Sequence, residues 1–121
     1  MGVWLSAKGE LEVTPAVDDE LIRDFIHFSE YTCPDKYWDE KFINTWFFNS
    51  ENKLICHEGK FAEPSIWYEH LRKNFFEPRG YSLIGDPQII GECDEGFQEL
   101  VSEREVEYQV WKQRKELLKI K

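Results

Sequence analysis

The sequence predicts an α+β protein. The expected fold is a two-layer sandwich: one antiparallel sheet with two helices on one face, in a broadly ferredoxin-like order, plus extra C-terminal strands. Three observations lead there. Residues 17–28 and 67–75 repeat apolar side chains at helical spacing. Short runs rich in Val, Ile, Phe and Trp alternate with turns marked by Gly, Pro and Asn. The 121 residues, 41% hydrophobic and 16% aromatic, suffice for one core and are too few for two domains. Residues 1–111 read as that single domain, and 112–121 as a basic C-terminal tail.

Val3-Trp4-Leu5 and Leu11-Glu12-Val13 flank Lys8-Gly9 and form either a short hairpin or one strand bent at Gly9. Thr14-Pro15 then marks a helix start, with Thr14 as cap and Pro15 in the first turn. Asp18, Asp19 and Glu20 suit the positive end of that helix. Val17, Leu21, Phe25 and Phe28, with Ile22 beside them, are its buried stripe, and it ends before Pro34. Residues 42–48 and 53–56 read as two strands joined by the polar turn Asn49-Ser50-Glu51-Asn52. Pro64-Ser65 opens a second helix, with Ser65 as cap and Trp67, Leu71 and Phe75 as its buried stripe. Pro78 and Gly80 stop it, Gly80 by taking a left-handed conformation.

Beyond Tyr81 the pattern becomes strand-like. Ser82-Leu83-Ile84 and Gln88-Ile89-Ile90 bracket the turn Gly85-Asp86-Pro87. Residues 97–101 and 106–110 read as two more strands, because Val106, Tyr108 and Val110 alternate with polar neighbours. A helix over 99–120 is the competing reading, since Glu, Lys, Gln and Leu are strong helix formers.

Charge narrows the function. The net charge is −9, but residues 112–121 carry five basic groups against Glu116. The other 111 residues therefore hold ten basic and twenty-three acidic groups. Such a body repels phosphates, so no direct nucleic-acid binding is expected, and a basic protein surface is the better-matched partner. No run of about eighteen apolar residues exists, so no membrane span is expected. Met1-Gly2 with Ser6 spells a myristoylation pattern, yet Trp4 and Leu5 read as strand residues. The N-terminus lacks the basic and long apolar stretches of a secretory signal. With Cys33, Cys56 and Cys93 odd in number and far apart, reduced thiols in a cytosolic setting are expected.

The residues Gly59-Lys60-Phe61, Trp67-Tyr68-Glu69-His70-Leu71, Phe76-Glu77-Pro78-Arg79-Gly80-Tyr81-Ser82-Leu83-Ile84-Gly85, Gly91-Glu92 and Asp94-Glu95-Gly96 form a recognisable pattern. It resembles a family of small bacterial and phage proteins with no established activity. Gly9-x-Leu11-x-Val13-x-Pro15 looks like that family's opening strand and helix entry. In the family a Trp often stands beside the turn glycine, where this chain has Arg79. The resemblance implies the same fold class and a prokaryotic or viral setting, and it assigns no site.

No catalytic spacing is visible. The six serines lie in no elbow motif, and His27 and His70 read as packing residues. Cys56 and His57 are neighbours in a strand, so their side chains point to opposite faces. The three Cys and His57 lack metal-ligand spacing, and no phosphate-binding Gly-rich loop feeds a helix, so no metal or cofactor is expected. Glu92, Asp94 and Glu95 read as a solvated turn or, if functional, as a docking edge for a basic partner.

Two readings follow. The leading one is a non-enzymatic interaction or inhibitor module, which engages an unidentified protein through Trp46, Phe48, Glu92, Asp94 and Glu95, with Tyr37-Trp38 as further surface aromatics. Core packing or a self-paired homodimer would account for the same aromatics equally well. The alternative is a small-molecule-binding domain with a pocket between sheet and helices, lined by Trp46, Trp67 and Tyr81. A pocket of several hundred cubic ångströms favours the second reading; a closed core with an exposed aromatic face favours the first.

Overall fold

The computed structural model describes residues 4–34, 43–60 and 63–120. Tyr37, Trp38, Phe42 and Met1–Val3 lie outside the described residues. The elements run β1 (Trp4–Lys8), β2 (Glu12–Thr14), α1 (Asp19–Tyr31), β3 (Trp46–Phe48), β4 (Leu54–Cys56), β5 (Gly59–Lys60), α2 (Pro64–Leu71), β6 (Ser82–Ile84), β7 (Gln88–Gly91) and α3 (Phe97–Lys119). The α+β class is the expected one. The strands form three small antiparallel sheets instead of one, ordered β5-β1-β7, β2-β6 and β3-β4.

Two of those sheets are halves of one bent ribbon. β1 pairs with β7 from Leu5↔Gly91 to Lys8↔Gln88, and β2 pairs with β6 from Glu12↔Ile84 to Thr14↔Ser82. Between them, three residues (9–11) face three (85–87), so the register continues across the bend. The opening is thus a single bent strand, not a hairpin. Gly85, at φ +145°, sits at the bend where the two strands of the ribbon come closest, and a Cβ there would lie 2.8 Å from the Glu10 carbonyl oxygen. Only glycine allows that approach. At the bend Leu11 turns to β4, exchanging backbone hydrogen bonds of 2.8 and 2.9 Å with Leu54.

α1 begins at Asp19, four residues after the expected Pro15, because Thr14 is used in the ladder opposite Ser82. Asp18 is the cap: its Oδ1 accepts from the Leu21 N–H at 2.8 Å. Leu21, Ile22, Phe25 and Ile26 are buried, while Val17 and Phe28 pack at the margin. In the β3–β4 turn, Asn49 Oδ1 accepts from the backbone N–H groups of Glu51 and Lys53, at 3.0 and 2.9 Å. This is the polar turn that the sequence predicts.

Ser65 does not cap α2. Pro64 occupies its first turn, where no donor is needed, and Ser65 is already helical. After Leu71 the helix widens into a π turn over Arg72–Phe76, then tightens into a 3₁₀ turn over Glu77–Arg79. The widening places the consecutive side chains of Phe75 and Phe76 both in the core, each fully buried. Gly80 closes the run at φ 81°, ψ 17°, left-handed as expected.

The largest departure is α3. Residues 97–101 and 106–110 are not strands but the first half of a 23-residue helix, and residues 112–119 are its last turns, not a tail. Phe97, Arg104, Trp111 and Leu118 recur every seven residues on its buried side, with Leu100 beside them. Val106 and Val110, which suggested an inward-facing strand, are 68% and 49% exposed. Arg104 is held against the bend of the ribbon: its Nη2 donates to the Gly9 carbonyl at 2.9 Å. No described helix is long and apolar enough to cross a membrane.

α3 also changes the layering. The β3–β4 hairpin has helices on both sides, and all six of its strand residues are buried. Phe47 packs on Tyr108 and Trp111 of α3, at ring separations of 5.3 and 6.2 Å. Phe48 packs on Phe25 of α1 at 4.9 Å and on Phe76 at 6.3 Å. Phe25 is the hub, meeting Phe75 and Trp111 as well, edge to face at 5.8 and 6.1 Å.

Candidate functional site

A cavity of about 650 Å³ opens where α1, the start of β3, α2 and α3 converge. Its aromatic lining includes Phe25, Trp46, Trp67, Tyr108 and Trp111, and Asn44, His57 and Lys115 are among its polar groups. Each is held by its element. Trp46 is fixed by its indole N–H, which donates to the Pro64 carbonyl at 2.9 Å. Asn44 is locked on both ends: its Oδ1 accepts from the Trp46 N–H at 2.8 Å, and its Nδ2 donates to Ser29 Oγ at 2.9 Å.

His57 leaves β4 with its ring stacked on Tyr108, 4.3 Å between centroids, and Nε2 2.9 Å from a Glu105 carboxylate oxygen. That carboxyl is held below the usual range, first by Gln109 and then by His57. Burial, followed by the nearby Lys119, lowers the ammonium pKa of Lys115, against the opposing pull of Glu30 and Glu116. Phe25, Trp46, Trp67 and Trp111 are at most 4% exposed and back the cavity, so a bound group would meet the half-buried Asn44, His57, Tyr108 and Lys115.

Cys56 has the opposite character. It is fully buried, its Sγ lies 3.2 Å from Thr45 Oγ1, and burial pushes its pKa up to about 11. It is an inert structural thiol. Its neighbour His57 points away toward Glu105, as strand alternation requires. His70 packs as expected, stacked on Phe28 and 3.0 Å from Thr32 Oγ1. His27 is exposed and lies against Tyr31, 4.5 Å between centroids.

The residues chosen from sequence divide sharply. Trp46 and Phe48, expected at a partner-facing surface, are 2% and 1% exposed, so neither can serve as a docking aromatic. The cause is helical cover on both sides of the hairpin. Trp46 and Trp67 do come together in the cavity wall, whereas Tyr81 is half-buried against the core and is no part of that wall. Glu92, Asp94 and Glu95 are exposed in the turn between β7 and α3. There Asp94 Oδ2 accepts from the Gly91 N–H at 2.7 Å, which closes the turn. No group of three or more potential metal ligands occurs among the described residues.

Tyr108, Trp111 and Lys115 escaped the sequence reading because they belong to α3. The seven-residue recurrence of Phe97, Arg104, Trp111 and Leu118 is the signal that could have found them. Compared with protein-family models, curated proteins and solved structures, the chain has no match.

Proposed function

We propose that the protein is a ligand-binding domain without catalytic machinery, and that its ligand is a small, flat, mainly apolar molecule with hydrogen-bonding groups along one edge. The observation that carries this reading is the 650 Å³ cavity, backed by buried Trp46, Trp67 and Trp111 and lined by half-buried Asn44, His57, Tyr108 and Lys115. Its volume falls in the range of small-molecule sites, and its lining mixes aromatic side chains with polar ones, among them Asn44, His57 and Lys115. The closed, fully buried hairpin argues against the aromatic docking face that the leading sequence reading requires.

The test is a thermal-shift screen of aromatic carboxylates, indoles and purines, repeated on Ser29→Phe, which fills the cavity from α1. A ligand at a hundred times its Kd stabilises by roughly 2.7 kcal/mol, which is on the order of 10 °C for a domain of this size. The expected result is a shift in the wild type that disappears in Ser29→Phe. A panel with no shift, or a shift that survives the filled cavity, overturns the proposal.

A second reading, an interaction module in a bacterial or phage setting, is favoured by a separate observation. The outer face of α3 exposes several aliphatic side chains, and the acidic turn at Glu92, Asp94 and Glu95 is open to a basic partner. Capture of a basic protein that is retained at low salt, and lost when Glu92, Asp94 and Glu95 are changed to Gln or Asn, would support it.

A further inference from the structure

The cavity contains a charge that the described residues leave unanswered. Lys115 lines it from α3, half-buried and one turn beyond Trp111. Among the described residues its ammonium has no hydrogen-bond or ion-pair partner. Glu30, the acidic group that lines the cavity from α1, is already held by Lys119 at 2.6 Å. The charges that act on Lys115 oppose one another, Glu30 and Glu116 against Lys112 and Lys119. Burial meanwhile disfavours the charged form of Lys115 more than any of these neighbours does. An anion entering the cavity would relieve a half-buried cation that the fold does not pair.

The other polar groups restrict which anion fits. Asn44 Nδ2 donates to Ser29 Oγ and to the Trp46 carbonyl, at 2.9 and 3.1 Å, and the Thr32 hydroxyl donates to the Phe28 carbonyl at 2.7 Å. Those donors are spent. No guanidinium occurs among the described lining residues, and Glu58 adds a second carboxylate to the lining. A phosphate dianion would meet too few donors and two like charges, whereas a lysine is a point charge suited to a single negative group. His57 and Tyr108, stacked on each other, lie two turns before Lys115, about 10 Å along α3, which leaves room for a ring between. We infer that Lys115 is the anion-recognising residue of the cavity, and that the ligand is an aromatic monocarboxylate whose carboxylate pairs with the Lys115 ammonium.

This inference rests on the ligand-binding reading and adds to it the charge and the orientation of the ligand. It is tested by isothermal titration calorimetry of the full chain with matched acids and primary amides. The pairs are benzoate with benzamide, naphthoate with naphthamide, and indoleacetate with indoleacetamide. Each amide keeps the shape of its acid and lacks the charge. In the wild type the acid binds about tenfold tighter than its amide, the size of one charge-assisted pair. Lys115→Met and Lys115→Gln bring that ratio to about one, and Lys115→Arg retains it. Lys112→Met removes the same charge from an exposed position one turn earlier and leaves the ratio unchanged. Because the ratio is taken within each variant, a change in stability does not enter it.

Acid and amide binding alike to the wild type, with both lost in Ser29→Phe, overturns the role of Lys115 and leaves the cavity reading standing. Binding of neither member of any pair overturns both. A preference for the acid that survives Lys115→Met and Lys115→Gln, or that Lys112→Met removes as fully, also overturns the inference, since it would then report net charge and not Lys115.

Discussion

Replacing Gly85 by Ala tests the bent ribbon on which the fold is built, and Gly80 provides the control. Both glycines have positive φ, +145° and +81°, and both gain the same entropy term from a more restricted unfolded chain. A Cβ at Gly80 meets nothing within 4 Å, so Gly80→Ala costs only the left-handed strain, about 1–2 kcal/mol. A Cβ at Gly85 would stand 2.8 Å from the Glu10 carbonyl oxygen and 3.1 Å from Leu11 Cδ2. The oxygen is backbone and cannot swing aside; relief requires moving the 9–11 segment, which carries the two Leu11–Leu54 hydrogen bonds. Losing both adds about 2 kcal/mol to a strain of about 1–3 kcal/mol, roughly 3–5 kcal/mol in all. At about 4 °C per kcal/mol, Gly80→Ala lowers the Tm by roughly 4–8 °C and Gly85→Ala by roughly 12–20 °C. Urea titration with both Cm and m followed, together with hydrogen exchange at the Leu11 and Leu54 amides, measures the difference. If Gly85→Ala is no worse than Gly80→Ala, or leaves those amides fully protected, the close approach of the two strands at the bend is refuted.

Other substitutions and titrations probe the core, the thiols and the charges. Phe25→Ala, which removes the ring touching Phe48, Phe75 and Trp111, destabilises by about 3–5 kcal/mol in urea titration, against no more than about 0.5 kcal/mol for the exposed Val106→Ala. With its pKa near 11, Cys56 is about one part in a thousand thiolate at pH 8, so it reacts with a disulfide reagent only after denaturant is added. Exposed Cys93 reacts in the native protein, and a native Cys56 reacting as fast would contradict its burial. The Glu69 carboxyl is held below its usual range, chiefly by the Arg72 guanidinium 2.7 Å away. A carboxyl lowered by folding contributes stability above its unfolded pKa and loses it as pH falls through the lowered value. The Tm gap between wild type and Arg72→Met should thus be present at pH 7 and close as the pH drops below about 4. A gap that is constant down to pH 2 would show that Arg72 acts only through packing.

Where the sequence was legible, one residue type had one use. Asn49 closes the hairpin turn and Gly80 takes φ 81°, each through a local geometry that few residues serve, whereas Thr14, expected to cap α1, is used in the ladder and leaves that role to Asp18. The reading failed at α3 because burial there is chemically mixed. Its inner stripe contains Arg104, whose guanidinium is used against the Gly9 carbonyl, and half-buried Tyr108 and Lys115. Its outer stripe contains Val106 and Val110, so hydropathy alone points the helix the wrong way round and mimics a period of two.

That one inversion propagates. With strands in place of α3, the face of the hairpin carrying Phe47 has no cover, and the aromatics of 46–48 look like excess surface. Restoring α3 covers Phe47 with Tyr108 and Trp111 and leaves the hairpin buried on both sides. The misplaced docking aromatics and the missed half of the cavity wall therefore share one cause.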